Sequence, residues 1–209
     1  MFDATKFALF ITVSWALIIA PGPDMLYVIT RGMTHGRGAG MLSAIGVICG
    51  ILVHTTAAAL GLTLIFQTSA TAFLIVKYLG ALYLIYLGIK CWRDKSNFYL
   101  QRSSSTVSSR QLFWQGVLSN VLNPKIDIFF LAFLPQFVDK GGGQVTLQLT
   151  VLGLIFAFLG LCFLLVIGYS SGTIGSWLSR RPQYAQLSQR LTGGILIGLG
   201  LRLALTERK

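Results

Sequence analysis

Six long apolar stretches constrain the fold of this chain more than any other feature of its sequence. A helix needs about 20 apolar residues to cross a bilayer, and each stretch is close to that length. The stretches occupy residues 7–29, 41–65, 71–90, 113–137, 146–170 and 188–205. Backbone groups in hydrocarbon must bond to one another, which helices achieve in runs this long, whereas barrel strands alternate over about 10 residues. The sequence therefore predicts an all-α polytopic membrane protein with six transmembrane helices.

The composition supports membrane insertion and excludes several other classes of protein. Of the 209 residues, 54% are hydrophobic and only 11% are charged, whereas a soluble domain carries about 25% charged residues. The net charge is nevertheless +11, from 17 lysines and arginines against 6 acids. A nucleic-acid-binding protein would display such charge on a polar fold. We therefore expect membrane lipid around the chain and no nucleic-acid partner.

The basic residues are concentrated in alternate loops, on one side of the predicted membrane. That side carries Arg31, Arg37, Lys90, Arg93, Lys95, Arg102, Arg110, Arg180, Arg181 and Arg190. The positive-inside rule places this side in the cytoplasm, which puts both termini outside if there are six spans. Basic residues at the C-terminus oppose that orientation, and a protein with five spans would have one terminus on each side.

The first apolar stretch is interrupted at Pro21-Gly22-Pro23, directly before Asp24. Each proline lacks an N–H group, which frees the backbone carbonyls four residues earlier, at Leu17 and Ile19, to accept a hydrogen bond from an ammonium group. The glycine permits an unwound backbone at this point. Asp24 lies in the first turn of the resumed helix, where the helix dipole favours a negative charge.

The fourth apolar stretch contains a similar interruption at Asn123-Pro124. Asn123 is a natural N-cap and Pro124 a natural first helical residue, and the proline frees the carbonyl of Asn120. Lys125 then places a cation where the first interruption has Asp24. Free carbonyls, a carboxylate and a lysine together suit a zwitterionic small molecule, of which an amino acid is the simplest.

The two interruptions mark corresponding places in two halves of the chain. Short glycine-containing matches between the third and sixth stretches support a duplication of three helices. Because three is odd, the halves insert with opposite orientations, which is a common plan of transporters. We expect a single transmembrane domain over 1–209, with repeat one at about 1–92, a cytoplasmic linker at about 93–111 and repeat two at about 112–209.

Ionisable residues within membrane helices are costly and are candidates for function. Asp24 and Lys125 have two interpretations that the sequence leaves open: a structural ion pair that joins the halves, or direct contact with the substrate. A pair that opens and closes would also gate the path. In a further interpretation, the prolines simply kink the helices and have no role in binding or gating.

The candidates for proton coupling are Asp24, Asp127 and His54, with Asp24 ranked first. Histidine side chains in general titrate near physiological pH, so a proton relay at His54 is possible, but a hydrogen-bonded packing role is the simpler interpretation. Lys77 is expected to extend its charge to a helix end.

Other residues are read as structural. Cys49, Cys91 and Cys162 are too widely spaced for a disulfide framework or a zinc site, so we expect no metal and no cofactor. Three pairs of glycines at a spacing of four predict close packing between helices of the chain. They are Gly46 with Gly50, Gly168 with Gly172 and Gly194 with Gly198. A homo-oligomer is left open.

The two interruptions together resemble the LysE/RhtB family of amino-acid exporters. One motif is Ala20-Pro21-Gly22-Pro23-Asp24, followed by a basic, glycine-rich turn, and the other runs from Gly116 through Asn120 to Asn123-Pro124-Lys125. The resemblance covers nearly the whole chain. It implies a translocator of the bacterial inner membrane that exports amino acids or derivatives such as threonine, homoserine or lysine, driven by the proton gradient.

Two other classes of function were weighed against amino-acid export. A membrane enzyme would need a nucleophile, a base and a stabilising group in one place, and the sequence has no such signature. A transporter of metal or other small ions is the stronger alternative. It predicts acids at both interruptions, whereas the second carries Lys125.

Overall fold

The computed structural model describes residues 4–62, 70–93, 107–139, 144–180 and 182–205, and in these ranges every regular element is helical. The prediction of an all-α protein is confirmed. Eight α-helices lie in the described ranges: α1 Ala4–Ile19, α2 Pro23–His35, α3 Arg37–Ala57, α4 Ala70–Arg93, α5 Ser109–Val121, α6 Pro124–Ile128, α7 Val145–Arg180 and α8 Pro182–Leu205. A π-helical turn, Ala58–Leu62, prolongs α3, and the turns Phe129–Phe133 and Leu134–Phe137 prolong α6.

Both predicted interruptions are bends between consecutive helices. The axes of α1 and α2 meet at 48°, and α5 meets the segment Pro124–Phe137 at 47°. By length and apolar composition, Arg37–Gly61 and Val145–Ile174 can each cross a membrane. Counting each bent pair as one span raises the number to four within the described residues. The chain is therefore polytopic, while six spans stay a prediction.

The helices pack in two groups, and α3 is the central element of the larger one. Helix α3 packs along α5, α7 and α2, while α4 packs along α8. Around the turn Phe129–Phe133, phenylalanine rings fill the buried core. The rings of Phe129 and Phe156 stack with their centroids 4.6 Å apart. Large apolar side chains such as Leu82 and Phe158 face outward, as expected for surfaces in contact with lipid.

Only part of the predicted glycine packing is confirmed. Gly46 lies against the backbone of Phe113, and Gly50 lies against Asn120, so this pair joins α3 to α5. Gly168 likewise meets Gly40 of α3. Among the described residues, however, a Cβ added at Gly172, Gly194 or Gly198 would meet no atom within 4 Å, and those predictions are wrong.

In the α4–α8 contact the close approach comes from glycines outside the predicted pairs. A Cβ on Gly193 would lie 2.6 Å from the carbonyl oxygen of Gly88, and one on Gly200 would lie 2.8 Å from that of Ala81. The spacing of four selected the wrong face of α8, because the contact uses residues seven apart.

Two helix boundaries and one side chain differ from the sequence-based expectations. Helix α5 begins at Ser109, inside the predicted linker, because Ser108 and Gln111 form a capping box; linker residues 94–106 lie outside the described ranges. Helix α7 continues to Arg180, ten residues beyond the predicted span. Lys77 is 5% exposed and its ammonium lies 5.1 Å from the centre of the Tyr78 ring, so it is buried and does not reach a helix end.

Candidate functional site

The site is built around the carboxylate of Asp24, at the start of α2. Gly22 is the N-cap residue, in an extended conformation, and Pro23 occupies the first helical position. This start brings Asp24 into the first turn, where its side chain faces α5 and α6. Asp24 is 8% exposed, so its charge must be balanced by protein groups.

Three side chains of the second half donate hydrogen bonds to this carboxylate. The amides of Asn120 and Asn123 bond to Oδ2 of Asp24 at 2.7 and 2.8 Å, and the hydroxyl of Ser119 bonds to Oδ1 at 3.3 Å. Both asparagines are almost completely buried. Buried donors that converge on one carboxylate fix the position of α2 against the second half.

Lys125 makes the converse connection, from the second half to the first. Its ammonium nitrogen donates to the carbonyl of Leu17 at 3.1 Å and to that of Ala20 at 2.9 Å. The prediction that the first interruption frees a carbonyl for an ammonium group is thus confirmed at Leu17, although the ammonium group belongs to the protein. The ammonium also lies beside Gly22, 3.0 Å from where a Cβ would stand.

Each interruption therefore receives charged or polar groups from the other. The carboxylate of Asp24 is held by asparagines of the second interruption, and the ammonium of Lys125 is held by carbonyls of the first. The structure brings together seven of the predicted site residues: Gly22, Pro23, Asp24, Asn120, Asn123, Pro124 and Lys125. Pro21 lies with them, between Ala20 and Gly22. Asn123 is also the N-cap of α6, as predicted, and accepts from the N–H of Lys125 at 3.1 Å.

The remaining predicted residues, His54 and Asp127, form a second pair beside the first. Nδ1 of His54 lies 3.4 Å from Oδ1 of Asp127, and Nε2 lies 3.2 Å from the carbonyl oxygen of Asn120. That carbonyl is the one freed by Pro124. It also accepts the N–H of Asn123 at 2.9 Å. Asn120 thus connects the two pairs, because its amide donates to Asp24 and its carbonyl faces His54.

A cavity of about 490 Å³ opens beside this second pair. Its lining is almost entirely apolar: Leu79, Gly80, Tyr83, Pro124, Asp127, Ile128, Leu131 and Ala132. Among these described residues, Asp127 is the charged one, and 39% of its side chain is exposed. The volume is within the usual range of small-molecule sites, about 300–1,000 Å³.

Sequence reasoning missed several contacts of the site. Ser119 and Ala20 stand next to predicted residues in the two motifs, but nothing in the local pattern distinguishes them as partners. Tyr27 and Arg31 of α2 also reach α5, where the Tyr27 hydroxyl donates to the carbonyl of Leu112 at 2.7 Å. Arg31 donates to the side chain of Gln115 at 2.8 Å. The basic turn after α2 gave the only signal in this region.

Comparison with known proteins gives a consistent result over the whole chain. The sequence profile described as LysE type translocator matches residues 15–207. The uncharacterized membrane protein YrhP of Bacillus subtilis is 32% identical over 206 residues, covering 94% of this chain and 97% of the relative. No solved structure matches significantly.

Two relatives carry the name leucine efflux protein. The one from Enterobacter sp. (strain 638) is 30% identical over 209 residues, covering 97% of each chain. The one from Klebsiella pneumoniae is 28% identical over 189 residues, covering 90% of this chain and 89% of the relative.

Proposed function

This chain belongs to the family of LysE type translocators, and from that premise we propose that it exports amino acids or amino-acid derivatives, using the proton gradient. As a member of this family it is a protein of the bacterial inner membrane. Its role is transport, and we assign it no enzymatic activity. The metal-ion or small-ion alternative has no specific observation in its favour.

The observation that carries this proposal is the set of reciprocal hydrogen bonds between the two interrupted helices. Asp24 is bound by amides of the second half, while Lys125 is bound by carbonyls of the first. These contacts close the interface between the halves with groups that also recognise a carboxylate and an ammonium. An amino acid carries both groups, so it can substitute for each protein partner as the interface opens.

Asp24 and Lys125 therefore act as a gate in this proposal. The sequence left open whether these residues join the halves or contact the substrate directly. Because Asp24 is buried, contacts that join the halves account better for the geometry of the closed interface. In the alternating-access scheme that we propose, the two bent pairs move against each other as corresponding parts of inverted repeats. Their bends of 48° and 47° support that correspondence.

A neutral aliphatic amino acid is the substrate that we propose, with leucine as the first to test. Two relatives that each cover at least nine-tenths of this chain are named leucine efflux proteins. The cavity beside Asp127 is lined mainly by apolar side chains, which suit an aliphatic side chain better than the charged one of lysine.

Efflux from whole cells tests this function. Cells that express the protein are preloaded with each labelled amino acid in turn, and loss of label is compared with cells that carry an empty vector. We expect faster efflux of leucine and of similar aliphatic amino acids. If no amino acid leaves faster, while cells preloaded with a labelled metal ion or other small ion lose it faster than the empty-vector cells, amino-acid export is wrong and the ion alternative replaces it.

A further inference from the structure

We propose that His54 and Asp127 form the proton-binding site, and that the ammonium group of the substrate competes with this proton for the Asp127 carboxylate. The inference rests on the proposed function and deepens it. It assigns proton coupling to this pair in preference to Asp24.

The number of hydrogens on the imidazole ring decides which of its contacts can form. Both ring nitrogens of His54 face oxygen atoms that accept hydrogen bonds, a carboxylate oxygen of Asp127 on one side and the carbonyl of Asn120 on the other. A neutral imidazole has a single N–H and satisfies one of them. Satisfying both contacts requires one additional proton, either on the ring or on the carboxyl group. The observed arrangement therefore matches the proton-loaded pair.

The net charge of the pair depends on this additional proton. With the additional proton the pair is neutral overall, and without it the pair carries one negative charge. An uncompensated charge among membrane helices is costly, so the empty pair needs another cation. Among the described residues beside the pair, Asp24 is linked to His54 through Asn120, and Lys125 donates to the carbonyls of Leu17 and Ala20.

Asp127 is more accessible than His54 to a replacement cation. His54 is 11% exposed, whereas 39% of the Asp127 side chain is exposed and it lines the apolar cavity. The ring of Phe130 lies beside the imidazole, with ring centroids 5.8 Å apart. An amino acid in the cavity could therefore place its ammonium group against Asp127, and its aliphatic side chain against Leu79, Ile128 and Leu131.

The exchange balances in protons, and the substrate ammonium replaces the positive charge that leaves the imidazole. The substrate ammonium binds the Asp127 carboxylate, the Nδ1–H contact of His54 breaks, and one proton leaves the imidazole for the water from which the substrate came. The imidazole is then neutral. On the opposite face of the membrane the reverse step loads a proton and releases the amino acid. Each cycle thus carries one amino acid out and one proton in.

The contact between His54 and Asp127 joins the two halves, so replacing the proton by the substrate affects the gate at Asp24 and Lys125. His54 belongs to α3 in the first half, and Asp127 belongs to α6 in the second. Asn120 joins this pair to Asp24, since its carbonyl faces His54 and its amide donates to Asp24. Removing the proton therefore weakens the contact between His54 and Asp127, next to the contact between Asn120 and Asp24.

Calorimetric titration of the purified full-length protein with leucine tests the proposal. Titrations at one pH in buffers of different ionisation enthalpy give the number of protons released on binding. We expect one proton per leucine in the wild type and none in His54→Gln, since glutamine still donates to one oxygen but takes up no proton. His35→Gln, the same change at the chain's other histidine, should release one proton like the wild type.

The pH dependence of leucine binding to the wild type tests the proposal without relying on the folding of a variant. Release of one proton makes the leucine affinity rise about tenfold for each pH unit while the pair is proton-loaded. Asp127→Asn should bind leucine at least about tenfold more weakly than the wild type, by loss of a charge-assisted contact. Leucine binding that is independent of pH in a wild type that exports leucine overturns the competition and leaves the proposed function standing. Absence of efflux for every amino acid overturns the proposed function itself.

Discussion

The ammonium nitrogen of Lys125 lies 2.9 Å from the carbonyl oxygen of Ala20, although the two residues belong to different halves of the chain. Ala20 precedes the first proline interruption, and Lys125 follows the second. The contact exists because a proline interruption leaves backbone carbonyls without helical partners, and a lysine from the other half satisfies them. This relationship underlies the predictions for transport and stability.

Lys125→Met keeps most of the length of the unbranched side chain and removes its charge and donors. The carbonyls of Leu17 and Ala20 lose this donor, which should destabilise the closed interface by about 1–3 kcal/mol. We expect leucine efflux to fall at least about tenfold, a factor equivalent to about 1.4 kcal/mol, as measured in preloaded cells at matched expression. Lys90→Met, at an exposed position of α4, is the matched control and should transport normally.

Asp24→Asn and Asp24→Leu separate hydrogen bonding from shape. An asparagine oxygen can replace Oδ2 and accept from both amides, while its NH₂ group donates to the Ser119 hydroxyl, which then serves as acceptor. Leucine leaves both buried amides without this acceptor, at about 1–3 kcal/mol for each group. Thermal unfolding in detergent should show Asp24→Asn close to the wild type and Asp24→Leu lower by about 5 °C or more. Equal loss in both variants would contradict the hydrogen-bonded role.

Gly50→Ala tests the close approach of α3 to the site. The new Cβ would lie 2.7 Å from Cβ of Asn120 and 2.8 Å from its Oδ1, so Asn120 must move away from Asp24. Overpacking of this kind costs about 1–3 kcal/mol, and we expect both the unfolding temperature and efflux to fall. Gly38→Ala, in open space at the start of the same helix, should be neutral or slightly stabilising, because alanine favours a helix.

The donors to Asp24 should differ in importance according to their geometry. Asn120 donates over 2.7 Å and is completely buried, whereas Ser119 donates over 3.3 Å and is partly exposed. Asn120→Ala should cost about 1.5–3 kcal/mol, as expected for a hydrogen bond to a charged group, and Ser119→Ala about 0.5 kcal/mol. Denaturant unfolding of both variants gives the comparison. A larger effect at Ser119 would mean that the carboxylate is held differently.

The sequence predicts those features that depend on local chemistry. The interruption at Asn123-Pro124 was predictable because an N-cap residue followed by proline starts a helix regardless of its surroundings. The freed carbonyl at Leu17 follows from proline geometry in the same way. Which ammonium group occupies that carbonyl depends on how two distant segments pack, so neither Ala20 nor Ser119 could be identified as a partner.

Burial was harder to predict than helix formation. Lys77 was expected to extend to a helix end, but it is only 5% exposed. Likewise, glycine spacing alone did not show that α8 uses Gly193 and Gly200 to approach α4. His54 and Asp127 were both candidates in the sequence, but only the fold brings them to 3.4 Å.

Efflux from proteoliposomes tests the central claim most directly. Purified protein is reconstituted in vesicles loaded with labelled leucine, and efflux is followed with and without an acidic external medium, for the wild type and for Lys125→Met. Export coupled to proton entry through the Lys125 gate predicts that external acid accelerates efflux in the wild type and has little effect in the variant. Wild-type efflux no faster than from protein-free vesicles, for leucine and for every other amino acid, would contradict the account.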